Sequence, residues 1–164
     1  MSRAHVREVD GDEPEDRPEL PLSPYPNYVT ARGLAQLQAR REACEAAITA
    51  LPPDAADRRQ RRAALDRELR WLQARIASAQ LVGGERHSDR IAFGAEVTVV
   101  DEDDREFRYR IVGEDEAEPD AGRISWTSPL ARALIGLKVG EVATWPRPAG
   151  DCEVEVRAIA FPTD

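Results

Sequence analysis

Two carboxylates and a run of guanidinium groups stand closest together among the residues able to do chemistry. Asp54 and Asp57 sit at i and i+3, and Arg58, Arg59, Arg61 and Arg62 follow at once. Hard divalent cations such as Mg²⁺ take carboxylate oxygens, which makes the two Asp candidate metal donors. The pair also has an ordinary reading. An acid at the N-cap of a helix and another at N3 satisfy orphan amides and complement the helix dipole. The arginines oppose a divalent cation beside them but favour phosphates, whether of RNA or of a nucleotide. An arginine run on a helix is, equally, often a solvated face and nothing more.

Other reactive groups are sparse. The two histidines, His5 and His87, fall in an acidic N-terminal stretch and in a polar linker, and no Ser/His/Asp or Cys/His triad can be assembled from them. Cys44 and Cys152 lie in different expected elements and read as reduced thiols. Two Cys and two His are too few for a zinc-type cluster. Trp, Tyr and Phe number three each, with no expected cluster of rings to line a proline pocket. No catalytic residue is assigned, and the chain reads as an accessory factor rather than an enzyme.

The 164 residues are 33% charged and 41% hydrophobic, which suits one or two small domains with modest cores. No apolar run is long enough for a membrane span or a signal peptide, so a cytoplasmic monomer away from membranes is expected. The net charge of −8 is uneven: residues 1–28 carry −4, residues 29–82 carry +4 and residues 83–164 carry −8. An acidic chain is a poor general DNA binder, because phosphate binding relies on Lys and Arg. The basic excess sits in the middle segment, where a nucleic-acid contact is allowed.

The elements that must position these residues follow from periodicity. Residues 1–27, rich in Pro, Asp and Glu, predict a disordered acidic arm. Thr30 reads as a helix N-cap. Leu34, Leu37, Cys44, Ile48 and Leu51 then recur in a coiled-coil rhythm, with Arg41 in the remaining seam slot. Pro52 and Pro53 stop that helix, and Asp54 can cap the next. The second seam is Leu65, Leu69, Leu72, Ile76 and Ala79. Two helices joined by so short a turn are antiparallel neighbours, and the narrow stripes predict a coiled-coil hairpin over 28–82. After the polar linker 83–90 the pattern becomes strand-like. Residues 95–99, 107–111, 124–126, 142–145 and 154–159 predict antiparallel strands, with one short helix opened by Ser128-Pro129 and ended by Gly136. The fold class is α+β, a helical hairpin followed by a β-rich domain over 83–164.

At this point the chain resembles a known family. Phe93-Gly94-Ala95-Glu96-Val97-Thr98-Val99, Tyr109-Arg110-Ile111-Val112-Gly113, Asp115-Glu116-Ala117, Ile124-Ser125, Ser128 through Gly136, Val139-Gly140-Glu141 and Pro148-Ala149-Gly150 occur in the order of GreA/GreB transcription elongation factors. Tyr28 through Leu34 is similar to the family's opening, and Ala79 through Val82 to the end of its hairpin. The resemblance implies an FKBP-like C-terminal domain, also found in the regulator of nucleoside diphosphate kinase (Rnk). It implies RNA polymerase as partner, with nascent RNA reached through the polymerase. The β-rich domain would dock at the rim of the secondary channel through Ser128, Pro129, Leu130 and Ala131, while the hairpin enters the channel. No intrinsic cofactor is implied. Instead two acidic tip residues help hold a Mg²⁺ shared with the polymerase, which itself cuts backtracked RNA. This sequence lacks the family's Gly-Asp-x-x-Glu-Asn tip and offers Asp54-Ala55-Ala56-Asp57 in its place. Its hairpin is shorter by about a heptad per helix, roughly 10 Å of reach at 1.5 Å per residue. An Rnk-like, non-cleaving protein that blocks the channel or regulates another enzyme is the alternative expectation.

Overall fold

The structure is a computed structural model that describes residues 17–83 and 88–164. Both histidines, the first part of the expected acidic arm and the centre of the linker lie outside the described residues.

The hairpin forms as its seams dictate. Thr30 caps α1 (Ala31–Thr49), its hydroxyl accepting from the Gly33 amide. Helix α2 (Arg58–Ser78) runs back alongside it. Leu37, Cys44 and Leu72 are buried between the two, flanked by Leu34, Ile48, Leu65, Leu69 and Ile76. These are the expected seam residues, and none has another apolar surface to bury against. Burial pushes the Cys44 thiol up, and its Sγ donates to the Leu65 carbonyl. The base of the hairpin is closed by two short parallel strands, β1 (Tyr28–Val29) and β2 (Gln80–Leu81), with Val29 opposite Leu81. Sequence periodicity gave no sign of them, because two residues are too few to show a period.

The second half is a five-stranded sheet, ordered β5-β4-β3-β7-β6. Its strands are β3 (Glu96–Asp101), β4 (Glu106–Val112), β5 (Arg123–Ser125), β6 (Val142–Trp145) and β7 (Cys152–Ala160). One face carries Val97, Val99, Ile111, Ile124, Val154 and Val156 into a core closed by Leu130 and Leu134 of α3 (Pro129–Leu134). The expectation of purely antiparallel strands is corrected at one place: β5 pairs with β4 in parallel. The chain reaches that position through two single 3-10 turns, Glu114–Glu116 and Pro119–Ala121, so it crosses over instead of turning back. Two groups of rings do form. Trp126 meets Tyr25 and Tyr28 at 5.8 and 5.1 Å, and Phe107, Tyr109 and Trp145 meet one another within 6.3 Å. Trp126 and Trp145 come from segments far from their partners and meet Tyr25, Phe107 and Tyr109 edge to face, while Phe107 and Tyr109 of one strand stack.

The two halves meet at a buried polar junction. Arg75 of α2 donates to Asp115 at 2.6 Å and to the Asn27 side-chain carbonyl at 2.7 Å, and Glu114 stands 3.8 Å away. Asn27 returns a bond to the Arg75 backbone carbonyl at 2.7 Å. The Thr30 hydroxyl, besides capping α1, donates to Glu116 at 2.6 Å. Gly33 permits this approach, since a Cβ there would lie 2.4 Å from the Glu116 carboxylate.

The expected disordered arm is corrected over 19–27, which form a strap across this junction. Glu19 pairs with Arg70, the Pro21 carbonyl accepts from the Trp71 indole, and Ser23 donates to Glu114. Tyr25 accepts from Arg132 of α3 at 2.8 Å. Composition misled here because the strap is anchored by one residue at a time and not by an apolar stripe.

Two substitutions separate seam from junction. Leu72 is fully buried, and Leu72→Ala is expected to destabilise the hairpin by about 3 kcal/mol in chemical denaturation, whereas Leu81→Ala, 61% exposed, leaves the midpoint unchanged. Arg75→Ala strips a buried guanidinium from Asp115 and Asn27, and such losses cost about 3–5 kcal/mol. A two-step unfolding curve in Arg75→Ala, with the sheet melting where it did before, is the expected signature of a broken junction; one unshifted transition would show that the ion pair contributes nothing.

Candidate functional site

The hairpin tip is the 50–57 turn, and its order comes from one arginine. Helix α1 ends at Thr49, and the prolines prevent its continuation. Arg58, the first residue of α2, reaches back with Nη1 to the carbonyls of Leu51 and Pro52. Two turn carbonyls just beyond the α1 C-cap are thereby satisfied by a cation, the favourable sign near that helix end. Leu51 is buried beneath the turn.

This corrects the cap assignment. Asp54 lies inside the turn, three residues before the N-cap, because the Ala55 amide bonds the Pro52 carbonyl and keeps 52–55 tightly turned. The N-cap position belongs to Asp57, whose side chain makes no capping bond and instead stands 3.9 Å from Arg61. Asp54 and Asp57 are both exposed. The donor set does not fit a divalent cation. Asp57 already faces a guanidinium, Arg58 sits beside it, and no group of three or more His, Cys, Asp or Glu suited to a metal occurs among the described residues. A Mg²⁺ held by this chain's tip is therefore not supported, and no step is derived through one.

The arginine run behind the tip is largely employed in structure. Arg58 holds the turn, Arg61 pairs with Asp57, and Arg62 meets both oxygens of Asp66 at 3.0 Å. Arg59 is exposed. Of Arg58, Arg59, Arg61 and Arg62, Arg58 is half-buried and engaged with the turn, while the other three are exposed. Exposed ion pairs such as Arg61–Asp57 are weak, so their arginines stay available to a stronger anion at little cost.

The second candidate surface is the edge of α3. Ser128 is its N-cap, its hydroxyl accepting from the Ala131 amide at 3.3 Å, and Pro129 occupies the first turn with its ring exposed. Leu130 and Ala131, at 4% and 0% exposure, are core residues and cannot touch a partner. Helical geometry decides this: with Pro129 outward, the next two positions turn toward the sheet. The outward set is instead Pro129, Arg132 and Ile135. Arg132 and Ile135 escaped sequence reading because spacing from the cap was not followed round the helix.

Residues 86–161 match the family model described as "Transcription elongation factor, GreA/GreB, C-term". The "Transcription elongation factor GreA" of Acidiphilium cryptum is 41% identical over 105 residues, 63% of this chain and 67% of that protein. The protein of the same description from Ralstonia nicotianae is 44% identical over 93 residues, 55% of this chain and 59% of that one. The match thus spans about three fifths to two thirds of these relatives' length. The crystal structure of GreA factor homolog 1 (Gfh1) of Thermus thermophilus aligns with 83% of this chain and 99% of its own at 23% identity, with a TM-score of 0.41.

The tip makes a local prediction. Arg58→Ala leaves the Leu51 and Pro52 carbonyls without their cation, and the turn should be cut faster by a protease of broad specificity, at 50–57 and nowhere else. Cleavage at the wild-type rate would mean that the prolines alone hold the turn.

Proposed function

The chain belongs to the GreA/GreB family of transcription elongation factors, and from that premise we propose that it binds RNA polymerase and occupies its secondary channel without donating metal ligands. The β-rich domain docks through the outward edge of α3, with Pro129, Arg132 and Ile135 in contact and Ser128 holding the helix start. Pro129 fixes the first turn before contact, which lowers the ordering cost of binding. The hairpin projects into the channel, and the site of action is the cytoplasm. The chain is an accessory factor, and any RNA cut in its presence is cut by the polymerase.

The observation that carries the non-cleaving reading is the tip. Its two acids are separated by a tight turn, one faces Arg61, and the arginine that follows is spent on backbone carbonyls. The helices of 19 and 21 residues are about 28 and 31 Å long at 1.5 Å per residue. Coordination needs a carboxylate within roughly 2.1 Å of Mg²⁺, and side-chain freedom does not recover the reach missing from two helical turns. What remains is steric: a basic, closed tip in a channel built for small substrates and RNA ends. Contact between Arg59, Arg61 or Arg62 and nascent RNA is compatible with this, because those side chains are exposed.

The test uses backtracked elongation complexes and purified polymerase. Added protein is expected to slow elongation and to stimulate RNA shortening weakly or not at all, with Asp54→Ala, Asp57→Ala behaving like the wild type. Strong shortening that the double variant abolishes would make the two Asp metal donors and overturn the proposal. Binding is read separately: Pro129→Asp, Ile135→Ser should weaken association at least tenfold, about 1.4 kcal/mol, with an unchanged melting curve, because both side chains lie outside the core.

A further inference from the structure

Arginines far apart in sequence converge on the face of the sheet opposite the apolar core. In β4, Phe107, Tyr109 and Ile111 point to the core, so Arg108 and Arg110 share the other face. Register places Glu96 of β3 opposite Arg110, and Arg110 opposite Arg123 of β5. Arg32, in the first turn of α1, completes a cleft of about 380 Å³ whose lining also includes Ala121 and Gly122. That volume falls within the roughly 300–1,000 Å³ of small-molecule sites. Gly122 makes the cleft floor possible: its φ is +75°, and a Cβ would stand 3.0 Å from the Arg108 carbonyl.

This arrangement carries an electrostatic cost. Like charges directly opposite on neighbouring strands repel, and Arg110 beside Arg123 is such a pair. Each guanidinium stands beside one carboxylate, and Arg110 also donates to the Pro162 carbonyl at 3.3 Å. Arg123 bonds Glu118, Arg110 bonds Asp164 at 2.6 Å, Arg108 stands 3.9 Å from Glu96, and Arg32 stands 4.0 Å from Glu116. A guanidinium offers five N–H donors, and the buried Nε groups of Arg110 and Arg123 have no partner. The Asp164 carboxylate, which lies outside the cleft lining, shows what Arg110 and the Arg32 amide accept. It takes the Arg110 guanidinium and the Arg32 backbone amide, at 3.3 Å, together. Burial pushes that carboxyl up, but the Arg32 amide and Arg110 outweigh burial and hold it below the usual range.

We propose that the cleft of Arg32, Arg108, Arg110 and Arg123 binds the diphosphate group of a small phosphorylated ligand, with the neighbouring Asp164 side chain competing for Arg110. Bidentate guanidinium recognition suits phosphate oxygens as well as carboxylates. A diphosphate offers oxygens to both members of the Arg110–Arg123 pair at once, which a single carboxylate does not. Glu96 lies at the end of the row and limits how far a polyanion extends toward β3. The site is separate from the hairpin tip and from the outward edge of α3, so it does not depend on polymerase docking.

The test is calorimetric titration of the full chain with inorganic pyrophosphate, ADP and AMP at low salt without Mg²⁺. Saturable binding of pyrophosphate is expected, with AMP weaker. Equal binding of pyrophosphate and ADP would mean that the diphosphate alone is read; tighter ADP would mean that a nucleotide is read. Arg108→Gln, a mostly exposed side chain, and Arg123→Gln should each weaken binding roughly tenfold. Asp164→Asn removes the competing charge and should tighten it several-fold, an effect in the opposite direction from any loss of folding. No saturable binding by the wild type, or the same affinity in all three variants, overturns the proposal.

Discussion

The buried Arg75 guanidinium is the constraint from which the arrangement of the two halves follows. Helices with one apolar stripe each have little left with which to pack onto a sheet, and the rings of Tyr28, Trp126 and Phe93 supply only a local apolar contact. The rest of the hairpin's attachment is polar, and a buried polar attachment holds best where its groups are bonded. Arg75 meets Asp115 and Glu114 of one turn and Asn27 of the strap. Its partners explain why residues 114–116 form a turn instead of a strand, and why the chain then crosses over to place β5 parallel to β4. Thr30 and Glu116 repeat the device one layer away, with Gly33 giving the room. Direction is what such a junction provides, since hydrogen bonds fix angles that apolar contact leaves loose.

How much of this was legible depended on the length over which a signal repeats. Leu37, Cys44 and Leu72 announced the hairpin seam, and Thr30 its start, because periodicity accumulates over several turns. Val97, Val99, Ile111 and Val154 did the same for the sheet. Asn27, Arg75 and Asp115 gave no such signal: each is a single polar residue whose burial depends on the others. The strap failed for that reason too, since a Pro-rich acidic stretch looks unstructured until Trp71 and Arg70 are placed beneath it. At the tip, an acid after two prolines looked like a cap, but the turn closed on itself first and moved the helix start to Asp57. Leu130 and Ala131 were drawn into the docking set because a motif string does not distinguish the residues that hold a helix down from those it presents.

The two groups of arginines make a related contrast. Arg58 to Arg62, conspicuous in sequence, dissolve in the structure into a turn brace and pairs within the helix. Arg32, Arg108, Arg110 and Arg123, scattered over some ninety positions, are brought together by the register of β4 and β5 and by the start of α1. Consecutive charges on a helix point in different directions, so a run is rarely a surface. Charges two apart on a strand, or opposite on its neighbours, share a face by construction.

Closure of the hairpin base by β1 and β2 has a consequence for how its length can vary. Both ends of the 28–82 segment are pinned side by side, so residues added to the helices change only the far end. Seven residues in each helix keep every seam side chain in phase, whereas four in one helix alone rotate its stripe away from the partner and expose it. Length is therefore quantised. This architecture can lengthen or shorten a probe in steps of one heptad while the base, the junction and the sheet go on as before, and any intermediate size is selected against by the seam itself.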